Sequence, residues 1–206
     1  MRCSYVQGWP EGRGGGGRLS ADDHPTTAES SAGGLRQKWE KKFAPRGHSR
    51  DNTGTMIIAD LAKIPGGTFP AGRWGRGLVG QLGQPIPAKG FSMGYSILEP
   101  RGGQVPWHNQ EQEEVYFIVQ GEGEICVGTE RSPIKAGQAV FMPPTLFHQL
   151  TNTGDEPMHM IYVYCPGGDV AHWRQELSGT LPKAGEGGIP PLPAGAQPQC
   201  TRKPGE

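Results

Sequence analysis

The stretch "PWHNQEQEEVYFIVQGEG", Pro106 to Gly123, carries a histidine, glutamines and glutamates straight into a run of apolar residues. Side chains of a regular strand alternate between faces. His108, Gln110, Gln112, Glu114 and Tyr116 would therefore share one face, and Glu111, Glu113, Val115 and Phe117 the other. An ionised Glu114 turned into an interior is heavily penalised unless it takes up a proton or meets a cation. A divalent metal removes that penalty. Histidine offers a nitrogen, glutamine a carbonyl oxygen and glutamate a carboxylate, a borderline-to-hard set that suits Fe, Mn, Ni, Co or Zn. A second histidine, His148, follows a Pro-rich turn in "PPTLFHQLTN", at the start of another expected strand. Each of these residues alone reads more simply as a satisfied histidine or a solvated strand edge; His108, Glu114 and His148 together point to a metal site.

The elements that would position them are short strands. From about Phe91 the chain runs through "FSMGYSILEP", "EVYFIV", "GEICVG", "AVFMPP", "HQLTN" and "MHMIYVYC", β-branched and aromatic segments separated by Gly, Pro, Asn and Asp. This texture predicts an antiparallel sandwich or barrel, and the lack of intervening helical patterns argues against a βαβ architecture. "DVAHWRQELSG" predicts one short helix, with Asp169 as N-cap, Gly179 after its end, and Val170, Trp173 and Leu177 on its apolar face. Residues 1–55 are too poor in aliphatic side chains to offset their ordering entropy and are expected to be disordered. Residues 56–179 then form the single barrel domain, and residues 180–206 a Pro/Gly-rich tail or extended arm.

The spacing of these residues resembles the two motifs of the cupin superfamily. The first motif, G-x5-H-x-H-x3,4-E-x6-G, is matched by Gly102 or Gly103, His108, Gln110, Glu114 and Gly121; the second, G-x5-P-x-G-x2-H-x3-N, by Gly137, Pro143, Thr145, His148 and Asn152. Gln110 stands where the family usually has its second histidine, and Thr145 where it usually has glycine. The resemblance spans about residues 90–166. It implies an all-β fold, a double-stranded β-helix (jelly-roll) barrel with one short C-terminal helix and disordered or extended tails. It also implies one divalent metal ion held by His108, Gln110, Glu114 and His148, with Fe(II) favoured and Mn, Zn, Ni or Co as alternatives. Gln110 is either a direct ligand or a partner of metal-bound water. Fold does not settle function. A non-heme Fe(II) dioxygenase acting on a small oxygenated molecule is the leading expectation, beside a Mn/Zn-dependent sugar isomerase or epimerase and a non-catalytic metal-dependent binding or sensor protein.

Other side chains are candidates for the small-molecule substrate. Tyr116 and Met142 either shape the pocket or are plain core, and of Tyr95 and Ser96 at most one lines it. "AGRWGRG" reads as a glycine-rich loop whose Arg73 and Arg76 could clamp an anionic group with fork geometry, or else lie in solvent. Lys+Arg 20 against Asp+Glu 20 offers no net attraction to nucleic acid or an anionic membrane. Cys3, Cys126, Cys165 and Cys200 form no CxxC pair, and no run of eighteen apolar residues occurs. A soluble cytoplasmic protein is expected. Exposed sheet edges, with "MIIADL" as a strand for a neighbour's edge, favour a homodimer.

Overall fold

Buried and exposed side chains alternate along β4 (Ser92–Leu98), where Ser92, Gly94, Ser96 and Leu98 are buried, and along β6 (Glu113–Gln120), where Glu114, Tyr116 and Ile118 are buried. That period of two is what a strand with one solvated face requires. The computed structural model describes residues 56–81, 83–203 and 205; the expected disordered segment 1–55 lies outside them. A 3-10 turn at Leu61–Lys63 precedes the remaining strands: β1 (Gly67–Phe69), β2 (Arg73–Gly80), β3 (Ile86–Pro87), β5 (Gln104–His108), β7 (Glu122–Val127), β8 (Glu130–Lys135), β9 (Ala139–Met142), β10 (His148–Asn152) and β11 (Met158–Cys165). Helix α1 spans Ala171–Ser178.

Two sheets form. One has seven strands in the order β1-β2-β4-β11-β6-β9, with β3 paired to β2; the other has four, β5-β10-β7-β8. Pairing is antiparallel except between β2 and β3. The core is a cluster contributed by both sheets, including Leu98, Tyr116, Ile118, Ile125, Met142, Leu150 and Met160. This is the antiparallel sandwich expected from the strand texture, in the jelly-roll form that the motif resemblance implies. Among the described residues no helix is long and apolar enough to cross a membrane.

Two local expectations are corrected. "AGRWGRG" is not a loop: most of it is β2, with Trp74 opposite Ile97 and Gly77 opposite Gly94. Of its glycines, Gly72 turns the chain before the strand at φ 65°, whereas Gly77 makes room within it, since a Cβ there would lie 2.2 Å from Gln84 Oε1. The N-cap of α1 is Val170, with no side-chain capping bond, because Asp169 pairs instead with Arg174. Gly179 does close the helix, at φ 68°. The side chains α1 buries most deeply are His172 and Glu176, while Leu177 is 49% exposed. Glu176 turns inward to Arg73 and Ala71 N, and His172 to the ring of His108.

Residues 180–203 have no regular secondary structure, yet they are tied to the outer face of the four-stranded sheet. Gln104 donates to Pro198 O and accepts from Cys200 N, Gln149 donates to Gln197 O, and Glu124 accepts from Gln197 N. Trp107 Nε1 donates to Pro190 O. A proline-rich arm cannot offer a continuous ladder, so the sheet's side-chain amides and a carboxylate meet its free backbone groups.

Candidate metal centre

His108 and His148 are cross-strand neighbours on β5 and β10, whereas Glu114 comes from β6 of the opposite sheet. The opening stretch is therefore not one regular strand: β5 ends at His108 and β6 begins at Glu113, so the residues between turn the chain from one sheet to the other. A β-bulge aims the first histidine. Pro106 and Trp107 on β5 together oppose Gln149, between the pairs His148↔His108 and Leu150↔Val105. This extra residue turns Trp107 out to the C-terminal arm and His108 in to the core.

The loop bearing His148 is fixed by its neighbour. Thr145, at the family's glycine position, adopts the left-handed conformation at φ 67°. A β-branched residue there is strained by about 1 kcal/mol or more. Two bonds hold the turn in compensation: Thr145 N donates to Gln110 O at 2.7 Å, and Asn109 Nδ2 donates to Thr145 O at 3.1 Å. The loops carrying Gln110 and His148 are thereby clasped together.

His108, Glu114 and His148 are buried, and each offers a ligand atom within 4.8 Å of the others. His108 Nδ1 lies 2.7 Å from Pro106 O, and His148 Nδ1 3.0 Å from Leu146 O. A carbonyl only accepts, so each Nδ1 carries the hydrogen and each Nε2 is left with a lone pair toward the centre, the tautomer a metal requires. His148 Nε2 then faces Glu114 Oε2 at 3.1 Å, an arrangement that needs a proton or a cation between two lone pairs. His108 Nε2 and both amide atoms of Gln110 are buried with no hydrogen-bond partner. Unpartnered buried donors and acceptors are costly, which calls for a partner at these atoms. The residues fit a divalent cation. Burial holds the His108 pKa well below the usual histidine value, and His148 nearby lowers it further, so the ring stays neutral.

The remaining candidates separate. Tyr116 lies on the inner face, its ring centroid 6.0 Å from that of His148, and burial followed by the Glu114 charge raises its pKa well above 10.0, keeping the phenol protonated. Gln112 leaves the site, donating to Asp169 O at 3.5 Å. Met142 is core beside Glu114. Ser96 faces inward, while Tyr95 faces out and bonds His159 Nδ1 at 2.6 Å. Arg73 and Arg76 do not converge as a clamp. Arg73 is 3% exposed, ion-paired with Glu176 and stacked 3.9 Å over the Phe69 ring; Arg76 lies on the other face of β2, over Trp74. A cleft of about 120 Å3, lined by Gln84, Ser92, Tyr162, Tyr164, Asp169 and Trp173 among others, opens beside the centre. Its tyrosines sit directly across from Tyr116 and Glu114 in the sheet.

Sequence reasoning missed two residues of this interior, His172 and Glu176. The His172 ring lies 3.7 Å from that of His108 with planes 33° apart, and burial, with His108 close by, lowers its pKa well below 6.5. Glu176, one helical turn on, takes Arg73 and the Ala71 N–H. Their spacing of four in a helix was the available signal, since it puts both on one face.

Residues 94–164 match the cupin domain family. The chain is 26% identical over 86 residues to an uncharacterized protein of Methanocaldococcus jannaschii, covering 41% of this chain and 69% of that one. It is 31% identical over 75 residues to the polyketide synthase CurC of Streptomyces cyaneus (36% and 48% covered), and 30% over 59 residues to a glucose-6-phosphate isomerase of Thermococcus onnurineus (26% and 31% covered). The chain thus spans about half of the second relative's length and less than a third of the third's. Among solved structures, an oxalate oxidase superposes with TM-score 0.52 at 19% identity, covering 71% of this chain and 74% of that one. An RmlC-like cupin from Shewanella frigidimarina gives 0.48 at 15%, covering 56% and 95%. With its motifs, its jelly-roll sheets and this matched region in agreement, the chain is a member of the cupin superfamily.

Proposed function

We propose that the protein is a metal-dependent enzyme acting on a small oxygenated molecule, with one divalent ion held by His108, Glu114 and His148 and the Gln110 amide oxygen as fourth donor. The observation that carries this reading is the buried trio of His108, Glu114 and His148, whose ligand atoms lie within 4.8 Å of one another between the two sheets, with His108 Nε2 left unpartnered. Two imidazoles and one carboxylate form the donor set of non-heme Fe(II) oxygenases, so we read the reaction as an oxygen-consuming oxidation. When bound, Fe(II) would supply adjacent open positions for substrate and dioxygen. The chain's own residues prepare that place. Pro106 O and Leu146 O fix the orientation of both histidines, and the protonated Tyr116 phenol lies on the same face as Glu114. The sheets and α1 exclude bulk water from His108, Glu114 and His148, none more than 4% exposed.

A second reading has its own support. The local match to glucose-6-phosphate isomerases, together with a neutral amide at Gln110, suits Mn- or Zn-assisted proton transfer next to a carbonyl, which needs no redox change. A binding or sensor role without turnover is the third. Metal analysis of protein purified without chelator, followed by oxygen uptake across a substrate panel, separates the three. Oxygen uptake supports the oxidation, turnover under strict anaerobiosis the isomerisation, and ligand binding without turnover the sensor. His148→Ala should lose stoichiometric metal and keep its β-type circular dichroism; full occupancy in that variant would defeat the assignment. We further propose a cytoplasmic homodimer, paired through the apolar outer face of the seven-stranded sheet, where Val115, Phe117, Val119 and Phe141 are exposed.

A further inference from the structure

The helix that follows the barrel contributes an imidazole that neither cupin motif contains, and it lies outside the residues matched to the family. His172 is 3% exposed, and its Nδ1 is buried without a partner. Its place is set from below. Glu176, one turn along the same helix face, is locked to Arg73 of β2 and to Ala71 N, and Trp173 packs edge-on against Phe69 and Tyr162. So anchored, α1 holds the His172 ring against that of His108, with centroids 3.7 Å apart and planes tilted by 33°.

That contact and the ligand-atom distances decide between two roles. An imidazole binds a metal through a lone pair in its own ring plane. A cation held by His108 Nε2 would lie in the His108 plane, and the His172 ring, stacked at 33° to that plane, would turn more of its face than its edge toward it. Accordingly His172 is absent from the group whose ligand atoms lie within 4.8 Å of one another. A molecule bound to such a cation on the side toward α1 would instead meet the unpartnered His172 Nδ1. On the reading that His108, Glu114 and His148 hold a metal, we propose that His172 is a substrate-contacting residue whose Nδ1 accepts a hydrogen bond from a hydroxyl group of the metal-bound small molecule. The favoured ligands are compounds that chelate through a hydroxyl and a neighbouring oxygen, because a hydroxyl drawn to a cation becomes a stronger donor.

The probe is lactate, which chelates through its carboxylate and hydroxyl, with 2-methoxypropionate as the analogue that has no O–H. Binding of each to Co(II)-loaded protein is followed by visible absorption in wild type, His172→Phe and His172→Ala. The phenylalanine variant keeps a ring in the stack and so guards against simple misfolding. Co(II) affinity should stay within about twofold in His172→Phe, lactate should weaken about tenfold, and 2-methoxypropionate should be unchanged. Unchanged lactate affinity in His172→Phe would show that the ring only packs. A fall in Co(II) affinity as large as that of His148→Ala would make His172 a ligand. Wild type that takes up Co(II) but ignores lactate overturns this inference alone, whereas wild type that takes up no Co(II) overturns the metal reading as well.

Discussion

On the outer face of the four-stranded sheet, Gln104, Glu124 and Gln149 are buried beneath the C-terminal arm; on the outer face of the seven-stranded sheet, Val115, Phe117, Val119 and Phe141 stand between 37% and 52% exposed. Both faces belong to one sandwich, and the contrast follows from what each can be covered by. A proline-rich arm brings unpaired backbone groups, so the face beneath it is polar and its amides are spent on the arm. The apolar face, uncovered among the described residues, instead suits another packed surface. A sheet's outward residues therefore record its cover: amides for a strand-like strap, aliphatic and aromatic groups for a packed partner.

The largest effect that tests this contrast is removal of the arm. Deleting residues 181–206 strips the partners from Gln104, Trp107, Glu124 and Gln149 together, and should lower stability by about 3 kcal/mol in urea unfolding. A truncated chain with an unchanged midpoint would show that the arm merely rests there. Next in size comes acidification of metal-free protein, which acts on the interior between the two faces. His108 and His172 are held well below 6.5 by burial, so the unfolded chain binds protons near pH 6.5 that the folded chain refuses. The thermal midpoint should be flat above about pH 7 and fall progressively below about 6.5. A midpoint insensitive to pH from 7 to 5 would mean that these rings are not kept neutral.

Smaller effects separate the faces residue by residue. Glu124→Ala removes the acceptor of Gln197 N and the ion pair with Arg131, and should cost about 1 kcal/mol in the same urea experiment. Lysine at both Phe117 and Phe141 should change stability by less than about 0.5 kcal/mol, yet convert a dimer to a monomer in light scattering. A variant that stays dimeric, or a wild type already monomeric at micromolar concentration, would remove the seven-stranded face as the interface.

How much of this was legible depended on distance along the chain. His108, Glu114 and His148 could be grouped, and the jelly-roll named, because family spacing encodes their strands and turns; the short β-branched segments gave the antiparallel sandwich or barrel. The regular alternation assumed across residues 108–116 failed at one link, since the chain changes sheets between His108 and Glu113. "AGRWGRG" misled because glycine marks turns more often than room inside a strand for a neighbouring side chain, as Gly77 makes for Gln84. His172 and Glu176 were passed over because the helix was read by its apolar residues, and what makes those two polar groups buriable, Arg73 and His108, lies far earlier in the sequence. The course of the arm was hidden for the same reason: composition says that it is extended, but not which distant amides it will meet.

The bulge at Pro106 and Trp107 makes the arm and the centre parts of one equilibrium. Adjacent residues point to opposite sides of the sheet, Trp107 to Pro190 and His108 to the core, so neither can be reoriented without moving the other. Thermodynamic reciprocity then fixes a relation between two otherwise separate measurements: if fixing His108 with a cation tightens the arm's attachment by some factor, attachment of the arm raises cation affinity by that same factor. Slower amide exchange at the arm's anchored N–H groups, such as those of Gln197 and Cys200, would thus be a gauge of occupancy read on the far side of the sheet.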